Sequence, residues 1–425
     1  MEKEFEGKKL LVLGGITLAC HIVQKAQEMG AYVAVADYNI DSPAKAFADE
    51  AVLLDATDIQ AVVSWCKENH IDGITTGFVD ILMPVCYEVC KALGKPYYAT
   101  TKMLSMATNK VDFKKTCELF GIPVPKTYLI GNSIPEKLYD EIRYPVFVKP
   151  LDASGSRGAG ACQDRAELEK QFYEALSYSV SGNAIIEDCM SGTEFLLDYV
   201  GVDGEFRLLS MFDRFMSPDR GSAINYSNVC LAPSKAIDQY YQTINRKVQK
   251  MFRELGFKDG LIFLQGYFDG QKITFYEMGC RLGGSFFELE DAVLGLNPIE
   301  MTIRYALSGK MIDHIGQIDE HSADFNKTAM VANYLLQGDN EIVAKVEGLD
   351  QVKQMRSFVS LIQQRDIGFH IKKDRTVDKA ILSFYMVAEN RNQARDDLKF
   401  MNNVIQVTNP EGKSLLSEKY NPELF

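Results

Sequence analysis

The stretch VFVKPLDASGSRGAG, Val146–Gly160, decides how the rest of the chain is read. An apolar run ends in Lys149 and passes into a loop of small residues with one arginine. Such a loop can simply turn the chain. It can also lay successive backbone N–H groups against an anion, as in the concave nests that hold phosphate. It is not a Walker loop, because G-x-x-x-x-G-K-[ST] is missing. Both flanks read as strands, so no helix dipole is implied.

The surrounding chain sets bounds. With 425 residues it exceeds one core, and about two to four domains are expected. Hydrophobic residues make up 46% and charged residues 24%, the mix of a globular protein. No apolar run approaches the roughly 20 residues that cross a bilayer. The N-terminus reads straight into a strand without a signal-peptide layout. Nine cysteines are scattered with no framework spacing, and Cys86 and Cys90 read as the core of an apolar helix. Together these features predict a cytoplasmic protein. A net charge of −12 argues against nucleic acid but leaves room for a local anion site.

Strands and helices alternate through the first hundred residues. The strands are KKLLVLGG from Lys8, AYVAVADY from Ala31, AVLL from Ala51, GITTGF from Gly73 and PYYAT from Pro96. Strict alternation predicts a parallel sheet with helices on both faces. Gly14-Gly15 and Asp37 raise a dinucleotide site, but the fingerprint G-x-G-x-x-G is broken: no glycine follows Gly15 until Gly30. From Tyr128 to Arg281 strands dominate, with hairpin turns at Asp203-Gly204 and Asp269-Gly270. A helix returns over Asn297–Gly309, and the last hundred residues mix short elements.

Further candidates join Lys149. Lys110 opens a helix. IIEDCMSGTEFLLDY carries Glu187 and Glu194 on either side of a turn at Gly192, acids able to accept from an amino group or ribose hydroxyls. Gln265 and Glu277 sit on the two arms of the Asp269-Gly270 hairpin and are placed to face each other, with Arg281 four residues on. Oxygen ligands on facing strands with an arginine beside them suit a magnesium–triphosphate, because magnesium keeps waters and shares phosphate oxygens.

In this order the features resemble an ATP-grasp enzyme. The resemblance implies an α/β and α+β multidomain fold. A Rossmann-like domain would occupy residues 1–107, a two-lobed ATP-grasp domain 108–310, and a small mixed α+β domain 311–425. It implies that Lys110 and Lys149 hold nucleotide phosphates. The loop with Ser154, Gly155, Ser156, Arg157 and Gly158 would close over them. Backbone after Glu187, at Cys189 and Met190, would meet adenine, and Glu194 would take ribose. Gln265 and Glu277 would hold Mg²⁺, or Mn²⁺ in its place, and Arg281 with Lys149 would serve phosphoryl transfer. Two positions depart from the family pattern: Gly279 stands where a metal-binding asparagine is usual, and Gln265 where an acid is usual.

KVEGLDQVKQ, QQRDIGF and GKSLL resemble the closing domain of the amino-acid ligase and carbamoyl-phosphate-synthetase-like branch. The implied activity is an ATP-dependent carboxylate–amine ligase that forms an acyl phosphate and releases ADP and phosphate. Its substrates would be a small carboxylate or amino acid and an amine, and a homodimer is allowed. A purine-pathway or bicarbonate-activating enzyme is the alternative within the family, and a non-catalytic ATP-binding protein the alternative outside it. Arg214, Arg220, Asn225, Tyr226 and Asn228 fall in the stretch that could line an acceptor pocket.

Overall fold

A computed structural model describes residues 3–152, 158–216, 227–372 and 380–425. Ser154, Gly155, Ser156 and Arg157 of the loop, and Arg220, Asn225 and Tyr226, lie outside the described residues.

The leading sheet contains β1 (Lys9–Leu13), β2 (Tyr32–Asp37), β3 (Glu50–Leu53) and β4 (Gly73–Thr75), in the order β3-β2-β1-β4 and all parallel. The continuous Leu/Val/Ala runs of its inner strands β1 and β2 are buried on both faces, as inner parallel strands require. The fifth strand expected at Pro96–Thr100 is not formed. Tyr97 and Tyr98 stack on each other, the Tyr98 hydroxyl donates to the Cys280 carbonyl at 3.0 Å, and Thr100 caps the helix Thr101–Thr108. The tyrosines carry strand propensity but pack against the hairpin instead.

The turn at Gly14-Gly15 is closed to a dinucleotide. Asp37 Oδ2 accepts from the Gly15 amide at 2.8 Å, and a side chain at 15 would meet Ser42 Oγ at 2.2 Å. The aspartate therefore serves its own turn, and Ser42 fills the space beside Gly15.

A four-stranded antiparallel sheet follows, made of β5 (Thr127–Gly131), β6 (Val146–Pro150), β7 (Gly160–Cys162) and β8 (Ala184–Asp188), ordered β5-β8-β6-β7. Alternation splits its faces. Val146, Val148 and Ile186 pack against the helix Arg165–Tyr178. Lys149 and Glu187 point the other way.

An eight-stranded sheet contains β9 (Thr193–Val202), β10 (Glu205–Met216), β11 (Ser227–Ala232), β12 (Gly260–Phe268), β13 (Ile273–Gly279) and β14 (Thr328–Leu335). Beyond the short ribbon strands β15 (Glu341–Ile342) and β16 (Lys345–Glu347), it is completed by β17 (Phe358–Gln363) and, after β18 (His370–Ile371), by β19 (Ala380–Ala388). The order is β13-β12-β9-β10-β11-β14-β19-β17, so one sheet carries strands from both sides of residue 310. The last strand, β20 (Gln406–Thr408), pairs with β16.

The Asp203-Gly204 turn has positive φ at both residues (52° and 88°), the two-residue form that matches strand twist. Asn297 caps the helix Pro298–Ser308, and Gly309 ends it at φ 77°. Among the described residues no helix is long and apolar enough to cross a membrane.

Candidate active site

Three lysines and one buried carboxylate form the first half of the site. In the four-stranded sheet Lys149 pairs with Ile185, and Glu187 lies two residues further on the same face. Lys149 Nζ reaches Glu187 Oε1 at 2.5 Å. The helix Lys110–Leu119, capped by the Asn109 side chain, brings Lys110 and Lys114 onto one face, four residues apart. Lys114 donates to Glu187 Oε2 and to Thr127 Oγ1, the latter at 3.3 Å. Glu187 is fully buried, and Lys114 and Lys149 nearly so.

Burial pushes Lys114 down to about 8, helped by Lys110. Burial also holds Lys149 well below the ordinary lysine range, helped by Lys114 and Lys110, while Glu277 opposes. Glu187 is the charge that lets two crowded lysines stay together. Lys114 was not singled out in the sequence; its signal there is the four-residue spacing from Lys110.

Polyphosphate arriving at this cluster raises the lysine pKa values. ATP binding above about pH 8 is therefore expected to take up protons, and affinity to fall as pH rises through that value. Titration calorimetry in buffers of different ionisation heat measures this. Binding without buffer dependence would contradict it.

The hairpin supplies the second half. Gln265 and Glu277 are register partners on β12 and β13, facing each other as expected. Burial raises the Glu277 carboxyl; Lys110, Lys149 and Arg281 pull it down, and Asp80 reinforces the rise. The two halves therefore converge on one carboxylate. Gln265 Oε1 accepts from the Tyr276 hydroxyl at 3.1 Å and keeps a second lone pair. Among the described residues no cluster of three or more His, Cys, Asp or Glu could hold a metal.

The residues present fit one divalent ion held by Glu277 and Gln265, with its other ligands drawn from phosphate and water. The space beside Gly279 is already used: a Cβ there would lie 2.0 Å from the Phe263 ring, which also carries the Arg281 guanidinium at 4.8 Å. Gly279→Asn is thus expected to displace that ring and lower Tm by several degrees without adding a metal ligand. Thermal unfolding with and without Mg²⁺ checks this.

Arg281 forms a bidentate pair with Asp80 at 2.5 and 2.7 Å. Asp80 opens the short helical turn Asp80–Leu82 after β4, so the leading domain puts an acid at the carboxyl end of its sheet, where α/β sheets meet ligands. This fork is the geometry in which arginine receives a carboxylate.

Other expected residues fall differently. Cys189 and Met190 lie in the link between the two sheets, and Gly192 at φ 97° lets that link pass the Phe268 carbonyl, which a Cβ would meet at 2.2 Å. Gly158 lies at the near end of β7, its carbonyl accepting from Gln171 at 3.1 Å. Glu194, expected to take ribose, is buried among partners from its own sheet. It accepts from Arg214 at 2.5 Å, Tyr276 at 2.8 Å and Tyr267 at 3.2 Å. Arg214 is therefore a partner of Glu194, and Asn228 turns away to donate to the Glu418 carbonyl at 3.0 Å.

Residues 142–287 match the ATP-grasp domain family. The chain carries an ATP-grasp domain. Its curated relatives include the formate-dependent phosphoribosylglycinamide formyltransferase of Sulfurisphaera tokodaii, 25% identical over 71% of this chain and 77% of that one. The D-alanine–D-alanine ligase of Geobacillus kaustophilus is 34% identical over 32% of this chain and 36% of that one. Among solved structures, the L-amino acid ligase from Bacillus licheniformis superposes with a TM-score of 0.77 over 95% of this chain and 99% of that one, at 18% identity. This last likeness establishes a shared fold along nearly the whole chain.

Proposed function

We propose that the chain is an ATP-dependent carboxylate–amine ligase. The observation that carries this reading is the facing pair Gln265–Glu277, whose carboxylate lies in the field of Lys110, Lys149 and Arg281, in a chain that carries an ATP-grasp domain. ATP phosphorylates the carboxylate of a small acid or amino acid. An amine then attacks the acyl phosphate, and ADP and phosphate leave. Phosphoryl transfer needs positioning and charge neutralisation more than covalent help. Lys110, Lys114 and Lys149 neutralise the phosphates. Glu277 and Gln265 would hold Mg²⁺, which would supply charge neutralisation for the transferred group. The amides of 154–158 close over the phosphates, and the backbone at Cys189 and Met190 receives adenine.

Arg281 receives the substrate carboxylate and then the acyl phosphate, with Asp80 holding the fork ready until substrate replaces it. A ribose contact at Glu194 would use the second lone pair of Oε2, which among the described residues accepts only from Tyr267. Nine cysteines with no disulfide between them suit a cytoplasmic setting.

The test is incubation with ATP, Mg²⁺ and pooled small acids, amino acids and amines. ADP with a new amide mass is the expected result. ADP formed only with bicarbonate would move the chain to the carboxylating branch, and AMP would remove the reading.

A further inference from the structure

One buried acid pair is left unused by the chemistry above. On β9, Asp198 sits one rung beyond the metal-facing pair: Leu196, Gln265 and Glu277 are register partners across β9, β12 and β13, and Asp198, Phe263 and Gly279 form the next rung on the same face. The separation along the strands is about 7 Å, two residues of rise. Asp198 is 8% exposed. Its Oδ1 accepts from the Gly283 amide at 3.1 Å, whereas Oδ2 has no hydrogen-bond partner among the described residues. Glu290, from the helix Phe287–Leu294, is 3% exposed and accepts from Ser210 Oγ at 2.6 Å.

Both acids line a narrow cavity walled by Leu209, Leu261, Leu282 and Phe287. The glycine over Asp198 is required, since a Cβ at 283 would stand 2.1 Å from Oδ1.

Two buried carboxyls facing one cavity call for a cation, and an orphaned buried acceptor is costly, about 1–3 kcal/mol. The Arg281 charge acts on Asp198, but its fork is filled by Asp80. Burial raises both carboxyls, Glu290 to about 7, and the two acids disfavour each other's charge at Asp198. A ligand ammonium, with three N–H donors and a full charge, answers both deficits. The apolar walls suit the carbon adjoining it. On the other side, the Arg281 guanidinium lies over Phe263, in the same rung as Asp198.

We propose that the Asp198–Glu290 cavity is the subsite for the ammonium group of an amino-acid substrate whose carboxylate faces Arg281. This rests on the ligase reading, for which it names the acid that is activated.

The test uses the full chain without nucleotide and methylammonium chloride as the probe, with tetramethylammonium chloride, which has no N–H donor, as the matched salt. Methylammonium is expected to raise Tm above the matched salt. Asp198→Asn and Glu290→Gln, which remove charge repulsion without changing shape, are expected to weaken that protection at least about tenfold in apparent affinity. Protection by Mg-ATP should survive in both. Equal protection by the two salts, or methylammonium protection undiminished in both variants, would overturn the proposal and leave a proton-sharing acid pair. Failure of the ligase reading reads out separately, as no ADP release with any acid while methylammonium protection persists.

Discussion

Lys149→Ala is expected to weaken ATP binding about 100-fold. Lys149 is buried, lies in the field of Lys114 and Glu277, and sits on β6 just before the glycine-rich loop. Removing a desolvated charge from a phosphate site costs roughly 2–5 kcal/mol, and about 1.4 kcal/mol is tenfold in affinity. The fold should survive, because Lys114 still neutralises Glu187. Removing both lysines is different: Glu187 would be left buried and unpaired, at a cost of about 3–5 kcal/mol. Calorimetric ATP affinity and thermal unfolding separate the two effects. The control is the exposed Lys170. Lys45 would be a poor control, since its Nζ is buried and bonded to the Asp37 and Asn39 carbonyls at 2.7 and 2.8 Å. ATP affinity unchanged in Lys149→Ala would remove the lysine from the phosphate site.

Glu277→Ala is expected to lower kcat about a thousandfold while ATP still protects the protein. Glu277 faces Gln265 across the hairpin, and a divalent ion held there would balance charge that builds in the transition state. Loss of a charge-stabilising group of this kind costs about 3–4 kcal/mol in the barrier. Burial already disfavours the Glu277 carboxylate, so its removal should not destabilise the fold. The same burial sets a pH dependence. The charged form that binds metal is lost as pH falls through the raised pKa, so Mg²⁺ affinity should fall on the acid side earlier than for an exposed glutamate. Rates against Mg²⁺ concentration at several pH values measure both, and full turnover in Glu277→Ala would exclude the assignment.

What the sequence made legible was local. Turn chemistry at Asp203-Gly204, the cap at Asn297 and stop at Gly309, and the facing pair Gln265–Glu277 across a short hairpin all depend on residues close in the chain. What it hid depends on pairings set by the fold. Glu187 and Lys114 are 73 residues apart, and Arg281 and Asp80 are 201 apart. No spacing rule joins them. Glu194 shows the same limit: a strand-edge acid reads as open, and Arg214 from the neighbouring strand, with two tyrosines, closes it. Pro96–Thr100 shows the converse, strand-forming residues without a neighbouring strand to pair with. Gly279, an apparent gap in the metal motif, proves to be space taken by Phe263.

The central claim is that ATP activates a carboxylate as an acyl phosphate at Glu277 and Arg281. Oxygen transfer tests it most directly. The carboxylate substrate found in the pooled assay is labelled with ¹⁸O and turned over with ATP and Mg²⁺, and the released phosphate is analysed by mass. One ¹⁸O in each phosphate, formed together with ADP, is the predicted result, because the acyl phosphate breaks to leave a substrate oxygen on phosphorus. Unlabelled phosphate, or label appearing in AMP, would contradict the account.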